Sequence, residues 1–245
     1  MEQSQYDSSL FGIPSATVYR VRAVAALLQL LVILLYGIVT VALGPRPEST
    51  EEAFRVFQES PLAGFLRGDL PLLILVSLYL GTFPALYLSL KRLAPFTVTV
   101  AFFATVIAVV IGFTNESSFS LYHLARQYSA ATLENNRAAL ISAGEAVIAG
   151  GWWNSTCSYI SGFLLQGAGV VISLVMLRSK SFNKVTAIAG LAGNGFDLIQ
   201  HLLEPFLPGI NAMFAPVMGP FYLIWFPMLA WDFTKLGNRS QSNSA

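Results

Sequence analysis

Long apolar stretches alternate with short polar intervals along this chain. A stretch of about 20 apolar residues is long enough for an α-helix to cross the hydrocarbon core of a bilayer. The pattern therefore predicts an all-α polytopic membrane bundle of six transmembrane helices, organised as a single membrane domain. The predicted spans cover approximately residues 23–43, 70–90, 96–113, 159–177, 185–204 and 211–233.

The polar intervals predict further helices outside the spans. The longest interval, between the third and fourth spans, predicts an external helical cap over about residues 119–149. Between the first two spans, Ser49 and Glu52 have the spacing of a capping box, which predicts a short amphipathic helix from Thr50 to about Glu59. Asp69 is the predicted N-cap of the second span.

Two further sequence features affect the predicted spans. Pro216, Pro220 and Pro227 fall within the sixth span and predict an irregular helix, because each proline removes a backbone donor. The pair of Trp152 and Trp153 predicts a return of the chain to the membrane interface, where indole rings accumulate.

Composition supports a membrane protein and excludes several other classes. The chain is 55% hydrophobic and 11% charged, whereas about a quarter of the residues in a soluble protein are charged. Its single cysteine, Cys157, excludes a disulfide framework and a cysteine-rich metal cluster. No segment is basic enough to indicate nucleic-acid binding. The sequence specifies no cofactor.

The distribution of Lys and Arg predicts the orientation of the bundle in the cell membrane. Nine of these residues fall on the side of the two termini and five on the opposite side, which predicts that both termini are cytoplasmic. The first group comprises Arg20, Arg22, Lys91, Arg92, Arg178, Lys180, Lys184, Lys235 and Arg239, and the second Arg46, Arg55, Arg67, Arg126 and Arg137.

The fifth predicted span carries four polar or ionisable residues that could form a functional site. Asn194, Asp197, His201 and Glu204 follow one another at steps of three, four and three residues, so they fall within a stripe of about 80° on one helix face. An ionised aspartate at mid-membrane costs about 2.5 to 3.5 kcal/mol on insertion scales, so Asp197 has to face protein or water. Gln166 is the polar group of the preceding span. These five residues form the predicted binding site.

Three functions are compatible with this stripe. The leading hypothesis is a non-enzymatic protein that binds or conducts a small solute, ion or proton through a polar core around Asp197. An alternative is a metal-dependent membrane enzyme at the outer leaflet, with Asp197, His201, Glu204 and His123 as ligands. A third is a structural or partner-binding subunit, in which the stripe joins helices through Gln166, Gln29 or Tyr36. Association of the chain with itself is compatible with all three.

Two segments of the chain resemble a known family. They are TLENNRAALISAGEAVIA, between the third and fourth spans, and MLRSKSFNKVTAIAGLAGNG, which connects the fourth span to the fifth. With the whole-chain plan of spans, they resemble a widespread prokaryotic family of six-helix integral membrane proteins of unassigned function, over roughly residues 18–236. The resemblance implies a six-helix fold and a prokaryotic membrane. It implies no catalytic or binding residue.

Overall fold

The computed structural model describes residues 15–151, 155–207 and 209–242. The regular elements within these ranges are α-helices, which confirms the all-α class. Trp152 and Trp153 lie outside the described residues. The helices are α1 (Ser15–Leu43), α2 (Thr50–Glu59), α3 (Pro61–Arg67), α4 (Leu70–Ser77), α5 (Tyr79–Leu90), α6 (Pro95–Thr114), α7 (Ser118–Ala130), α8 (Glu134–Gly150), α9 (Thr156–Arg178), α10 (Lys184–Leu203) and α11 (Ile210–Ser242).

Within the described residues, helical segments in five places are long and apolar enough to cross a membrane, which indicates a multi-pass membrane protein. The predicted fifth span corresponds to α10, which is helical but is not one of these segments. The polar stripe lowers the mean hydropathy of this helix. The five segments are Thr17–Leu43, Leu70–Leu90, Pro95–Ala130, Thr156–Arg178 and Met213–Arg239.

The larger of two apolar cores lies between the long helices. Helix α1 packs along α11, α11 packs on α10, α10 on α9, and α9 on α6. Trp225, Phe226 and Phe233 of α11 are each at most 1% exposed at the centre of this core. The opposite faces are apolar and exposed, as at Val41 (89%) and Phe96 (81%). Such faces suit contact with lipid.

Two segments that contain prolines differ in helix regularity. In the segment Leu70–Leu90, Pro84 predicts a kink near Gly81, and the segment is divided into α4 and α5 a few residues earlier, at Leu78. Helix α11, in contrast, runs without interruption through its three prolines, although the sequence predicts an irregular helix there. Packing against α1 and α10 supports α11 along its length, so the loss of individual backbone hydrogen bonds does not end the helix.

The smaller apolar core joins α2 to α7 and α8. Its buried members are Ala53, Phe54 and Phe57 of α2 and Leu121 and Ala125 of α7, and apolar side chains of α8 pack against them. This α2–α7–α8 cluster gives the apolar faces of three short helices a common place to be buried, which short helices need in order to be stable.

The predicted N-cap of α2 is confirmed at Ser49, whereas Glu52 reaches one residue beyond the cap. The Glu52 backbone N–H donates to Ser49 Oγ at 3.2 Å, and Glu52 Oε2 accepts from the backbone N–H of Glu48 at 3.3 Å. Helix α2 spans Thr50–Glu59, the bounds that the sequence predicts. Local side-chain signals were sufficient here because both partners of each hydrogen bond lie within four residues.

The predicted role of Asp69 is wrong in its detail. Asp69 occupies the N-cap position of α4, but its side chain makes no capping hydrogen bond there. Its Oδ2 instead accepts hydrogen bonds from the backbone N–H of Ser117, at 3.0 Å, and from the Ser117 hydroxyl. Asp69 therefore binds the beginning of α7, where the free backbone donors of that helix attract an anion.

Candidate functional site

Helix α10 places the four residues of the stripe at graded depths. Its N-terminus is fixed by Asn183, whose Oδ1 accepts from the backbone N–H of Val185 at 3.0 Å. Asn194 is 1% exposed, whereas the side chains of Asp197 and His201 are 14% and 28% exposed. Glu204 follows at the C-cap and is partly exposed. Exposure therefore increases along the stripe from Asn194 to His201.

One side chain donates a hydrogen bond to the carboxylate of Asp197, and a second lies close to it. The hydroxyl of Tyr222, on α11, donates to Asp197 Oδ2 at 2.8 Å. On the other side, Nδ1 of His201 lies 3.5 Å from Asp197 Oδ1, beyond hydrogen-bond distance, and it has no hydrogen-bond partner in the described residues. Asp197 is thus bound by a phenol and adjacent to an imidazole.

Gln166 is connected to Asp197 by a hydrogen bond with Tyr222. The Tyr222 hydroxyl lies 3.1 Å from the side-chain oxygen of Gln166 on α9. A hydroxyl carries a single proton, which it gives to Asp197 in the shorter contact. The Gln166 amide is therefore best oriented with its NH₂ group donating to the tyrosine oxygen. Side chains from α9, α10 and α11 thereby form one hydrogen-bonded group at Asp197.

Asn194 does not join this group. Its amide nitrogen donates to the backbone carbonyl of Gly190 at 2.7 Å, within α10. Its side-chain oxygen is buried and has no hydrogen-bond partner in the described part of the chain. The structure therefore brings together Asp197, His201 and Gln166 of the predicted residues, and it leaves Asn194 beside them.

Glycines allow the three helices to approach closely around these side chains. A Cβ atom added at Gly162 of α9 would overlap the ring of His201, and one at Gly169 would overlap the amide of Asn194. On α10, a Cβ atom at Gly190 would come within 2.5 Å of Trp225 Nε1. At these three positions the glycine backbone lies directly against a polar side chain of the neighbouring helix, so a larger residue would not fit.

Glu204 belongs to a second charged region, at the C-terminal end of α10. Burial lowers the pKa of Arg46, which follows α1, and the nearby Asp69, Tyr36, Glu48 and Glu204 act in the opposite direction. Glu204 also lies close enough to His201 for an electrostatic interaction. The stripe therefore leads from Asp197 through His201 to a region where several charges meet.

The four residues of the metal hypothesis do not assemble as ligands. His123 lies exposed on α7, where its Nε2 is 2.7 Å from the side-chain nitrogen of Gln127. Across the described residues, no group of three or more His, Cys, Asp or Glu side chains is placed to hold a metal ion. The geometry gives no support to the metal-dependent enzyme.

Sequence reasoning missed two important residues of the α10–α11 contact. Tyr222 was not predicted, although it binds Asp197. Asp232 is 2% exposed, and its Oδ2 accepts from Thr186 Oγ1 at 2.6 Å at the start of α10. Gln29, a predicted partner of Asp197, is instead fully buried on α1 and has no hydrogen-bond partner in the described residues.

Comparisons with known proteins identify no relative of this chain. No family model matches the chain. Searches of curated proteins and of solved structures also find no match. The fold and the apolar helices define a helical membrane protein, and the resemblance to a six-helix prokaryotic family stays a prediction.

Proposed function

We propose that this protein binds or conducts a small solute, ion or proton through the polar core around Asp197. The observation that supports this function is the environment of the Asp197 carboxylate, which Tyr222 contacts at 2.8 Å and His201 at 3.5 Å. An ionisable residue within a helix bundle, partly exposed and next to a histidine, is typical of ion and proton pathways in membranes.

The proposal includes a six-span topology in which α10 is the additional span. Helix α10 is 20 residues long, which matches the thickness of a bilayer. It packs on α9 and α11, so its polar stripe faces protein rather than lipid. With both termini in the cytoplasm, as the distribution of Lys and Arg favours, the α2–α7–α8 cluster and Glu204 lie on the external side.

A structural role is the second candidate, and one observation favours it. The hydroxyl of Tyr222 contacts Gln166 and Asp197 and so links α9, α10 and α11. Interhelical hydrogen bonds of this kind stabilise membrane bundles by about 0.6 to 2 kcal/mol each. In this role the charge of Asp197 would have no use beyond accepting a hydrogen bond.

Replacing Asp197 by asparagine separates the two candidates. Asparagine retains an oxygen that accepts from Tyr222, but it cannot ionise. We expect Asp197→Asn to abolish ion or proton flux in vesicles that contain the purified protein, with a change in the free energy of unfolding of less than about 1 kcal/mol. Glu145→Gln, which makes the same chemical change on the exposed face of α8, is the matched control.

The opposite result assigns the structural role. If a screen of proton, sodium, potassium and organic-solute gradients finds the same behaviour in wild type and Asp197→Asn, the polar core has no part in binding or conduction. A fall in the free energy of unfolding by several kcal/mol in Asp197→Asn, with unchanged flux, would point to helix association as the purpose of the stripe.

A further inference from the structure

We infer that the species taken up at Asp197 is a proton, which His201 delivers from the Glu204 end of α10. This inference rests on the proposed function, because it names the species that the same site binds. Two properties of the site carry it: the lack of space between α9 and α10, and the order of ionisable groups along α10.

Helices α9 and α10 are in close contact at the two stripe residues on either side of Asp197, His201 and Asn194. A single added carbon at Gly162 would overlap the His201 ring, and one at Gly169 would overlap Asn194. An organic molecule or a hydrated ion is larger than that carbon, so it could not pass between α9 and α10 at these two glycines unless the helices separated. A dehydrated metal ion would need several ligands at once, and in the described residues no group of three or more His, Cys, Asp or Glu side chains is placed to hold one. A proton needs no such space.

The order of groups along α10 gives the direction from which the proton arrives. On the C-terminal side of Asp197 come His201 and Glu204, both ionisable and both partly exposed. On the N-terminal side comes Asn194, which does not titrate and whose amide is held by Gly190. Proton exchange with solvent is therefore open towards Glu204 and closed towards Asn194.

The transfer itself requires one proton and a small movement. A protonated His201 gives the proton on Nδ1 to Oδ1 of the Asp197 carboxylate, which leaves a neutral imidazole and a neutral carboxylic acid. The two atoms are 3.5 Å apart and have to approach to about 2.8 Å, the usual length of a charge-assisted hydrogen bond. Tyr222 keeps its hydrogen bond to Oδ2 in both states.

The other ionisable groups near Asp197 are consistent with this exchange. Tyr222 of α11 touches the carboxylate, and Tyr79 of α5 is close enough to act on it electrostatically. Both are phenols, which remain protonated at neutral pH. Glu204 is the nearby carboxylate, and it acts on His201 rather than lying in contact with Asp197. His201 is therefore the group that can supply the proton.

Proton uptake by the full chain in lipid nanodiscs tests the inference. After a rapid fall in pH, followed with a pH-sensitive dye and by infrared absorption of the carboxyl group, wild type takes up a proton that Asp197→Asn does not. Asp197→Glu restores the uptake because it retains a carboxyl group. His201→Asn keeps the amount of uptake but slows it by about 100-fold, the lower range for loss of a positioned acid–base group. Glu145→Gln behaves as wild type.

Two outcomes would overturn the inference, and they are distinct from failure of the proposed function. If sodium, potassium or tetramethylammonium raises the proton concentration at the midpoint of uptake by about tenfold or more, Asp197 binds a competing cation. The proposed function then stands, with a cation other than the proton as the bound species. If Asp197→Asn takes up the same proton as wild type, the inference fails outright. If its ion and solute fluxes are also unchanged, the proposed function fails as well.

Discussion

Two aspartates lie at opposite ends of the contact between α10 and α11, and their environments differ. Asp232 is 2% exposed. Its Oδ2 accepts from the backbone N–H of Asn183 at 3.0 Å and from the hydroxyl of Thr186 at 2.6 Å. Both donors belong to the first turn of α10, where the helix dipole favours a negative charge. Neither donor titrates in the physiological range, so neither can exchange a proton with this carboxylate.

Asp197 has partners of another kind. It lies within α10 rather than at a helix terminus, and its carboxylate contacts Tyr222 and His201. Burial alone therefore does not distinguish the candidate functional carboxylate, since Asp232 is the more buried of the two. What distinguishes Asp197 is a neighbour, His201, whose unperturbed pKa lies in the physiological range.

The largest expected effect on stability comes from removing Asp232. Asp232→Ala leaves two donors of α10 without an acceptor, and loss of hydrogen bonds to a charged group costs about 1.5 to 3 kcal/mol each. We expect the free energy of unfolding to fall by about 3 kcal/mol. Asp197→Ala should lower it by no more than about half as much, because only Tyr222 loses a short hydrogen bond. Chemical unfolding in detergent micelles measures both.

Proton uptake by the same two variants tests whether the two aspartates have different roles. Asp232→Ala, measured under conditions where it is folded, should take up protons as wild type does. Equal losses of stability in the two variants, or a loss of proton uptake in Asp232→Ala, would show that the two carboxylates have the same role.

The next effect in size comes from the glycine beside His201. Gly162→Ala places a methyl group against the imidazole, and overpacking of this kind costs about 1 to 3 kcal/mol. The displaced ring should also deliver protons more slowly. Gly167→Ala is the matched control on α9, since nothing lies within 4 Å of its added carbon.

The two alanine variants can be compared by stopped-flow proton uptake and by thermal unfolding. Gly167→Ala should leave the rate unchanged. If Gly162→Ala also has the wild-type rate although it is destabilised, the position of His201 has no influence on the exchange.

A smaller effect is expected from the hydroxyl groups that bind the two aspartates. Tyr222→Phe and Thr186→Val each remove one donor to a carboxylate, with an expected cost of about 1.5 kcal/mol. Only Tyr222→Phe should also slow proton uptake, because the Tyr222 hydroxyl holds the Asp197 carboxylate in place. Stopped-flow measurement of uptake checks this, and equal rates in the two variants would contradict it.

What the sequence could predict depended on the distance between interacting residues along the chain. The ends of α2 were predictable because Ser49 and Glu52 lie three residues apart. The polar face of α10 was predictable because a helix has a fixed period. In both cases the signal and the structure belong to one helix.

The contacts across helices could not be predicted in the same way. Tyr222 lies 25 residues from Asp197 along the chain, and its own helix carries prolines and many aromatic residues that give no clear face. Asp69 was assigned to the helix that follows it, because nothing local indicates that its carboxylate binds Ser117, 48 residues away. The proposed sixth span, α10, rests on the packing of this helix against α9 and α11, which its own hydropathy does not reveal.

The smallest expected effect concerns Asp69, the third aspartate that is bound by another element. Like Asp232, it is 2% exposed and accepts hydrogen bonds at the start of a helix, here from the backbone and hydroxyl of Ser117. Ser117→Ala removes the hydroxyl but leaves the backbone donor, so we expect a loss of about 1 kcal/mol. Ser129→Ala, at an exposed position of α7, should change stability by less than about 0.5 kcal/mol.

Proton uptake should be the same in both serine variants as in wild type, because Asp69 has no titrating donor among its hydrogen-bond partners. A slower or smaller uptake in Ser117→Ala would mean that the beginning of α7 acts on the polar core, which the charged region shared by Arg46, Asp69 and Glu204 would then transmit. An unchanged uptake would place Asp69 with Asp232, and it would leave Asp197 as the aspartate whose partners permit exchange of a proton.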